Sequence, residues 1–491
     1  MKRIAAFWVV LLLVAGPSYG LADRPNILMI AVDDLRPMLG CYGDDRVLTP
    51  NIDRLAAEGM LFERAYCNYA KCGPSRLSLM TGIRPDQVGV YSHSDTAVAE
   101  FRRKNPKAVS MARWFKQQGY LARSFGKIDH DGWADPDEWS VPPFAGRDGE
   151  MLEIVDGTGE SVVADRAACP VMQAPDVEDE FLFAGRMTEE VKRSLSNPRD
   201  KPFFFAVGFR RPHLPFVAPK KYYELYEPDE SWLAPNPDPP KNAPPLAWFN
   251  SDGYGGMMKK FGEALPEPVT RKQAIALNGF EMRSYLGAPV KGNISTEKQL
   301  QLIHAYAACV SYVDAQIGKL LRSLDESGLR ENTIVLLWSD HGWHLGEMSA
   351  WGKMTNYEIA TRVPLIISAP GKSVGKTRSL AELVDLFPTL CELSGIGSPG
   401  HLQGDSLVPI LKNSETEIKD AIFHEYARYN GKFMGRAVRT DQFRYVEWTD
   451  IRGNRVAEEL YDLAVDPMET VNRIEEQTGQ AEIMRSLLHG R

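Results

Sequence analysis

Residues 26–34 read Asn26-Ile27-Leu28-Met29-Ile30-Ala31-Val32-Asp33-Asp34, an unbroken apolar run stopped by two carboxylates. Such a run, with no polar alternation, predicts a strand covered on both faces inside a sheet between two helix layers. Three more runs share its character: 202–209, 333–338 and 363–368. Helical patterns lie between them. Thr49-Pro50 supplies a cap and a first-turn proline ahead of Ile52, Leu55 and Ala56, with Gly59 as a stop. A longer helix is predicted over 297–327, with Ile303, Tyr306, Val310, Val313, Ile317, Leu320 and Leu324 on one stripe. Strands alternating with helices give the fold class, α/β with a large, mainly parallel central sheet between helices. Residues 212–245, rich in proline, read as an ordered loop excursion. Beyond about Lys419 short strands are predicted over 421–426, 433–440 and 443–448, a small antiparallel sheet ending in a helix.

The chain has 491 residues, 44% hydrophobic and 25% charged, which is ordinary globular usage and excludes a disordered or collagen-like chain. Its 57 Lys and Arg against 65 Asp and Glu give −8, so nothing in the overall charge draws it to nucleic acid or anionic lipid. An anionic substrate would have to meet a local cluster of cations. Lys2-Arg3, the apolar run 4–15 and the small residues 16–22 predict a secretory signal peptide over 1–22, too short to span a bilayer. A secreted or periplasmic protein is expected, with a catalytic domain over 23–415 and a small α+β subdomain over 416–491. Six cysteines are too few for a disulfide scaffold.

In an open parallel sheet, ligands bind beyond the carboxyl ends of the strands. One run ends in Asp33-Asp34 and another in Ser339-Asp340-His341-Gly342, bringing three carboxylates and an imidazole to one edge. Like charges repel unless a cation holds them, and an oxygen-rich set favours a hard divalent ion, Ca²⁺ or Mg²⁺. Either pair alone would fit a turn or a helix cap; two such strand ends in one chain favour the metal. Between them lies Cys72-Gly73-Pro74-Ser75-Arg76, followed by Thr81-Gly82. Pro74 suits a first helical turn, which puts Cys72 at a helix N-terminus near unpaired amides. From the residues alone this predicts an activated cysteine nucleophile, with Arg76 returning to bind an oxyanion. Cys309 and Cys391, in apolar helical surroundings, read as structural thiols.

The Cys72-x-Pro74-Ser75-Arg76 pattern with Thr81-Gly82 resembles the motif of the type I, formylglycine-dependent sulfatases. Asp33-Asp34, Thr49-Pro50-Asn51-Ile52-Asp53, Gly126-Lys127, Pro212-His213-x-Pro215, Asp340-His341-Gly342, Glu459-Leu460-Tyr461-Asp462-Leu463 and Asp466-Pro467 follow in family order along nearly the whole chain. The detail is most similar to the iduronate 2-sulfatase branch. Two residues separate Lys127 from His130, and Asp340-His341-Gly342-Trp343-x-Leu345-Gly346-Glu347 leads to Trp351-Gly352-Lys353. His344 and Phe209-Arg210-Arg211 depart from that pattern.

The resemblance implies an alkaline-phosphatase-like sandwich and one Ca²⁺ held by Asp33, Asp34, Asp340, His341 and residue 72. It implies that Cys72 is converted to formylglycine by a formylglycine-generating enzyme or an anaerobic sulfatase maturase. The hydrated aldehyde then attacks sulfur, and its second hydroxyl expels sulfate. Arg76, Lys127 and Lys353 are expected to offset charge on the sulfuryl group. His213 is expected to protonate the leaving oxygen, shared with Lys353, and His130 to act as base on the second hydroxyl. Trp343, Lys353, Arg210 and Arg211 are expected to contact substrate, the arginines pairing with a uronate carboxylate or flanking the pocket. The implied substrate is a sulfated polysaccharide, attacked from its end at a 2-O-sulfated uronate. Two other readings stay open: a phosphomonoester or phosphonate hydrolase of the same superfamily, and a non-catalytic glycan-binding relative in which Cys72 is never modified.

Overall fold

Alternate side chains of strand β1, Asn26–Val32, enter two different cores, which is why its sequence is apolar from Ile27 onward. Leu28, Ile30 and Val32 pack with helices α1 (Pro50–Ala57), α4 (Phe183–Ser196) and α5 (Thr296–Glu326). Ile27, Met29 and Ala31 pack with helices α2 (Cys72–Thr81), α3 (Met111–Gln117) and α6 (Leu386–Leu393) on the opposite face. The computed structural model describes residues 24–130, 133, 136–145, 153–155, 161–163, 166–197 and 199–490. The signal segment expected over 1–22 lies outside them. Among the described residues no helix is long and apolar enough to cross a membrane, and all six cysteines are free thiols.

Six further strands complete the central sheet: β2 (Met60–Phe62), β3 (Leu121–Gly126), β4 (Phe203–Phe209), β5 (Thr333–Ser339), β6 (Leu365–Ser368) and β7 (Gly375–Thr377). Their order is β7-β2-β6-β5-β1-β4-β3. The half that carries β5, β1, β4 and β3 is parallel, whereas β6 runs antiparallel to both β5 and β2. The predicted strand over 363–368 is therefore present but reversed. Gly208 allows β3 and β4 to close up at their ends: a Cβ there would lie 1.9 Å from the carbonyl oxygen of Lys127.

α5 begins one residue before its predicted start and buries the predicted stripe. Thr49 precedes α1, but its side chain makes no capping bond; its hydroxyl accepts from the Gly40 amide and contacts Asp53 instead. At the other end, strands β8 (Ile422–Arg428), β9 (Phe433–Arg439), β10 (Phe443–Asp450) and β11 (Arg455–Asp462) form a four-stranded antiparallel sheet. Helix α7 (Thr478–His489) packs on it through Ala481, Met484 and Leu488.

Candidate active site

Strand register builds the site. Val32 of β1 lies opposite both Ser339 of β5 and Phe209 of β4, and Gly126 of β3 lies opposite Gly208. The residues that follow, Asp33, Asp340, Arg210 and Lys127, consequently emerge side by side at one sheet edge. The Asp33 amide donates to the Phe209 carbonyl at 2.9 Å and locks the first two strand ends together. Asp34 then turns back with φ +62°, a conformation uncommon for a residue with a Cβ. It is held by its amide on Asp340 Oδ1 at 3.3 Å and by the Tyr306 hydroxyl on its carbonyl at 2.9 Å.

α2 delivers Cys72 to this edge. Cys72 Sγ lies 3.2 Å from His341 Nε2, and donor atoms of Asp33, Asp34, Cys72 and His341 all fall within 4.8 Å of one another, every one buried. His341 Nδ1–H donates to the Gly342 carbonyl at 3.0 Å, which leaves Nε2 free to act as a donor to metal. Asp340 stands beside this group, its Oδ2 3.6 Å from His341 Nε2. Their surroundings pull the two adjacent carboxylates in opposite directions. Burial alone would raise Asp33, but Lys127 and Arg76 hold it well below the usual carboxylate range. Burial pushes Asp34 well above that range, with Asp33 adding to the effect, although Lys353 lies 2.9 Å away. Asp33 is matched by two cations, Arg76 and Lys127, and Asp34 by Lys353. A divalent ion would offset the burial of both carboxylates, so this donor set fits the expected hard metal.

Around this centre the expected residues converge, in places with different roles. The Arg76 guanidinium is fully buried and every nitrogen is engaged. Nε donates to Asp340 at 2.8 Å, Nη2 to Asp33 at 3.2 Å, and Nη1 to the carbonyls of Lys127 and Ile128 at 2.6 and 3.0 Å. It braces the carboxylates; it does not present an open face to a sulfuryl group. Lys127 pairs with Asp33, and Lys353 pairs with Asp34. Burial alone would lower Lys353, but Asp34 keeps its ammonium protonated well above the usual range. Burial and the neighbouring Asp33 charge push the unmodified Cys72 thiol up to about 12.

On the opposite side of Lys353, His213 Nδ1–H donates to the Leu214 carbonyl at 2.6 Å. Its Nε2 faces Glu281 Oε1 at 3.6 Å and Asp34 Oδ2 at 3.9 Å. Burial, with Lys353 adding to it, drives His213 well below the usual imidazole value. Arg210 and Arg211 are each 5% exposed, and Arg211 Nη1 donates to the His213 carbonyl at 3.2 Å. Trp343 is wholly buried near Phe216, and the Lys353 ammonium stands 5.1 Å over its face. It supports the lysine through a cation–π contact. His130 stacks on His93, with centroids 3.8 Å apart and planes 22° apart.

Three residues here carry no motif and escape sequence reasoning. His93 approaches the start of α2 at Gly73, next to Cys72, where a Cβ would lie 2.9 Å from its ring and 2.8 Å from Trp133. Glu281, 3% exposed, sits 3.6 Å from both Lys353 and His213. Lys71 immediately precedes Cys72. Glu281 comes from a single helical turn, Phe280–Arg283, in a region whose sequence shows no periodicity.

Comparison with known proteins follows the same lines. A family model described as "Sulfatase" matches residues 25–396, and one described as "N-sulphoglucosamine sulphohydrolase, C-terminal" matches residues 346–490. The iduronate 2-sulfatase of Mus musculus is 32% identical over 528 aligned residues, covering 92% of this chain and 91% of that protein. The phosphonate monoester hydrolase of Agrobacterium radiobacter superposes with a TM-score of 0.71 at 23% identity, covering 95% of both chains. A 2-O GAG sulfatase superposes with a TM-score of 0.68 at 24% identity, covering 95% of this chain and 91% of that one. These two structural likenesses show the fold, the alkaline-phosphatase-like sandwich.

Proposed function

The chain belongs to the sulfatase family and is a sulfuric ester hydrolase, and from that premise we propose that it removes 2-O-sulfate from a terminal uronate of a sulfated polysaccharide. The observation that carries the reading is the meeting of Cys72, Asp33, Asp34 and His341 within 4.8 Å, from elements spread over three hundred positions. Likeness to iduronate 2-sulfatase supports the substrate class.

Asp33, Asp34, Asp340, His341 and residue 72 would hold one Ca²⁺, which supplies positive charge for the sulfate oxygens. Formylglycine made from Cys72 by a dedicated maturation enzyme supplies, as its hydrate, the nucleophile. The remaining roles fall to the chain's own side chains. Arg76 keeps Asp33 and Asp340 in place. Lys127 and Lys353 orient the sulfate and offset its charge. Lys353 and His213, each 3.6 Å from Glu281, serve the leaving oxygen, with the proton delivered from Lys353 Nζ and His213 Nε2 standing beside it as an acceptor. His130 takes the proton that frees sulfate from residue 72, its ring fixed by His93. Arg210 and Arg211 flank the leaving-group side. Export through the segment 1–22 would place the enzyme in the periplasm or outside the cell.

The test is turnover of matched esters by protein produced together with a formylglycine-generating enzyme. Sulfate release from a 2-O-sulfated uronide, with a phosphate ester of the same alcohol turned over far more slowly, is the expected result. Preference for the phosphate or phosphonate ester contradicts the reading, as does absence of turnover in protein carrying formylglycine at 72.

A further inference from the structure

Lys71 is badly placed for stability. It is the N-cap of α2, with extended backbone, so its positive charge sits beside the positive end of the helix dipole. The side chain is half-buried, and among the described residues it makes no hydrogen bond or ion pair. Asp252 and Glu281 attract it electrostatically, but neither forms an ion pair with it. Asp252 accepts from Arg428 at 3.0 Å and from the Tyr429 amide at 2.7 Å, while Glu281 turns Oε1 to Lys353 and His213. A half-buried cation with no carboxylate in contact costs stability unless an anion comes to it.

Its surroundings show where that anion would lie. Lys127 and Lys353 are bound to the paired aspartates, on the sulfate side of residue 72. Lys71 touches neither aspartate. Its ammonium lies next to Gly253, where a Cβ would have Lys71 Nζ, 4.0 Å away, as its one neighbour. That glycine leaves open space beside the cation. Arg210 and Arg211, by contrast, are buried, and Arg211 donates to the His213 carbonyl.

We propose that Lys71 is a specificity-determining residue that binds the carboxylate of the substrate uronate while the ester sulfate occupies the lysine pair at residue 72. The inference rests on the sulfatase reading above and adds to it the group that reads the acid. The test compares two substrates, a 2-O-sulfated iduronide and its carboxyl-reduced counterpart, with sulfate release measured for wild type, Lys71→Met and Lys71→Arg. Wild type is expected to favour the carboxylated sugar. Lys71→Met should reduce that preference about tenfold or more, mainly through KM, as loss of a charge-assisted hydrogen bond implies. Lys71→Arg should restore part of it, and Lys71→Met should melt no lower than wild type. Equal losses on both sugars, or an undiminished preference in Lys71→Met, overturn the inference while leaving the uronate reading intact. Wild type that releases sulfate from neither sugar overturns both.

Discussion

Glu281 shows how a single residue can govern two others. Its buried carboxylate lies 3.6 Å from Lys353 Nζ and from His213 Nε2, the two groups assigned to the leaving oxygen. Burial alone would raise it, but Lys353 and Arg166 hold it below the usual glutamate value, so it stays ionised at neutral pH. Glu281→Gln keeps the shape and removes the charge. The expected effect is a fall in kcat of about tenfold to a hundredfold on a sugar sulfate, part of what general acid catalysis supplies. An aryl sulfate, whose leaving group needs no proton, should lose much less. Equal losses on the two esters would assign Glu281 a structural role only.

At the scale of elements, the site depends on how closely strand ends approach. Gly208→Ala would drive a methyl group into the Lys127 carbonyl, which also accepts from Arg76. Destabilisation of about 1–3 kcal/mol is expected from this overpacking, together with lost turnover, measured by urea unfolding and sulfate release. Glu382 makes a second junction. It accepts from Arg84, from Lys419 at 3.1 Å, from Asn68 at 2.9 Å and from the Phe423 amide at 3.1 Å, tying the end of α2 to the start of β8. Burial alone would raise it, yet Lys419 and Arg84 bring it from the usual 4.5 to about 2. A depressed carboxylate stabilises the fold above its unfolded value, so this contribution is complete above pH ~4.5 and lost as pH falls towards 2. Its size is about 3 kcal/mol by linkage. Unfolding free energies measured across that window should fall steeply in wild type and less steeply in Glu382→Gln; identical slopes would contradict the assignment.

The same elements mark what was legible beforehand. β1, β4 and β5 are readable because burial on both faces forces continuous apolar sequence, and each ends in a residue of the site. β3 was missed because Leu121-Ala122-Arg123-Ser124-Phe125-Gly126 lies at the sheet edge and is only partly buried. A motif fixes where Trp343 stands along the chain and not the side to which its ring turns. Lys71, His93 and Glu281 were invisible as site residues because their roles arise only when loops distant in sequence meet.

For the whole molecule, the consequence is a net charge of −8 around a buried pocket rich in cations. The proposed divalent ion would join the paired aspartates beside these cations. Metal binding to the folded state should therefore add stability by mass action. Wild type is expected to melt several degrees higher in calcium than in chelator, and Asp34→Asn should lose most of that difference; no shift in wild type would remove the metal assignment. The central claim, that residue 72 as an aldehyde carries out sulfate ester hydrolysis, is tested most directly by labelling purified protein with a hydrazide and locating the adduct by peptide mass spectrometry. Preparations matured to different extents should show labelling at residue 72 rising in proportion to sulfate release, and Cys72→Ala should show neither. Full turnover in protein whose residue 72 is an unmodified thiol would contradict the account.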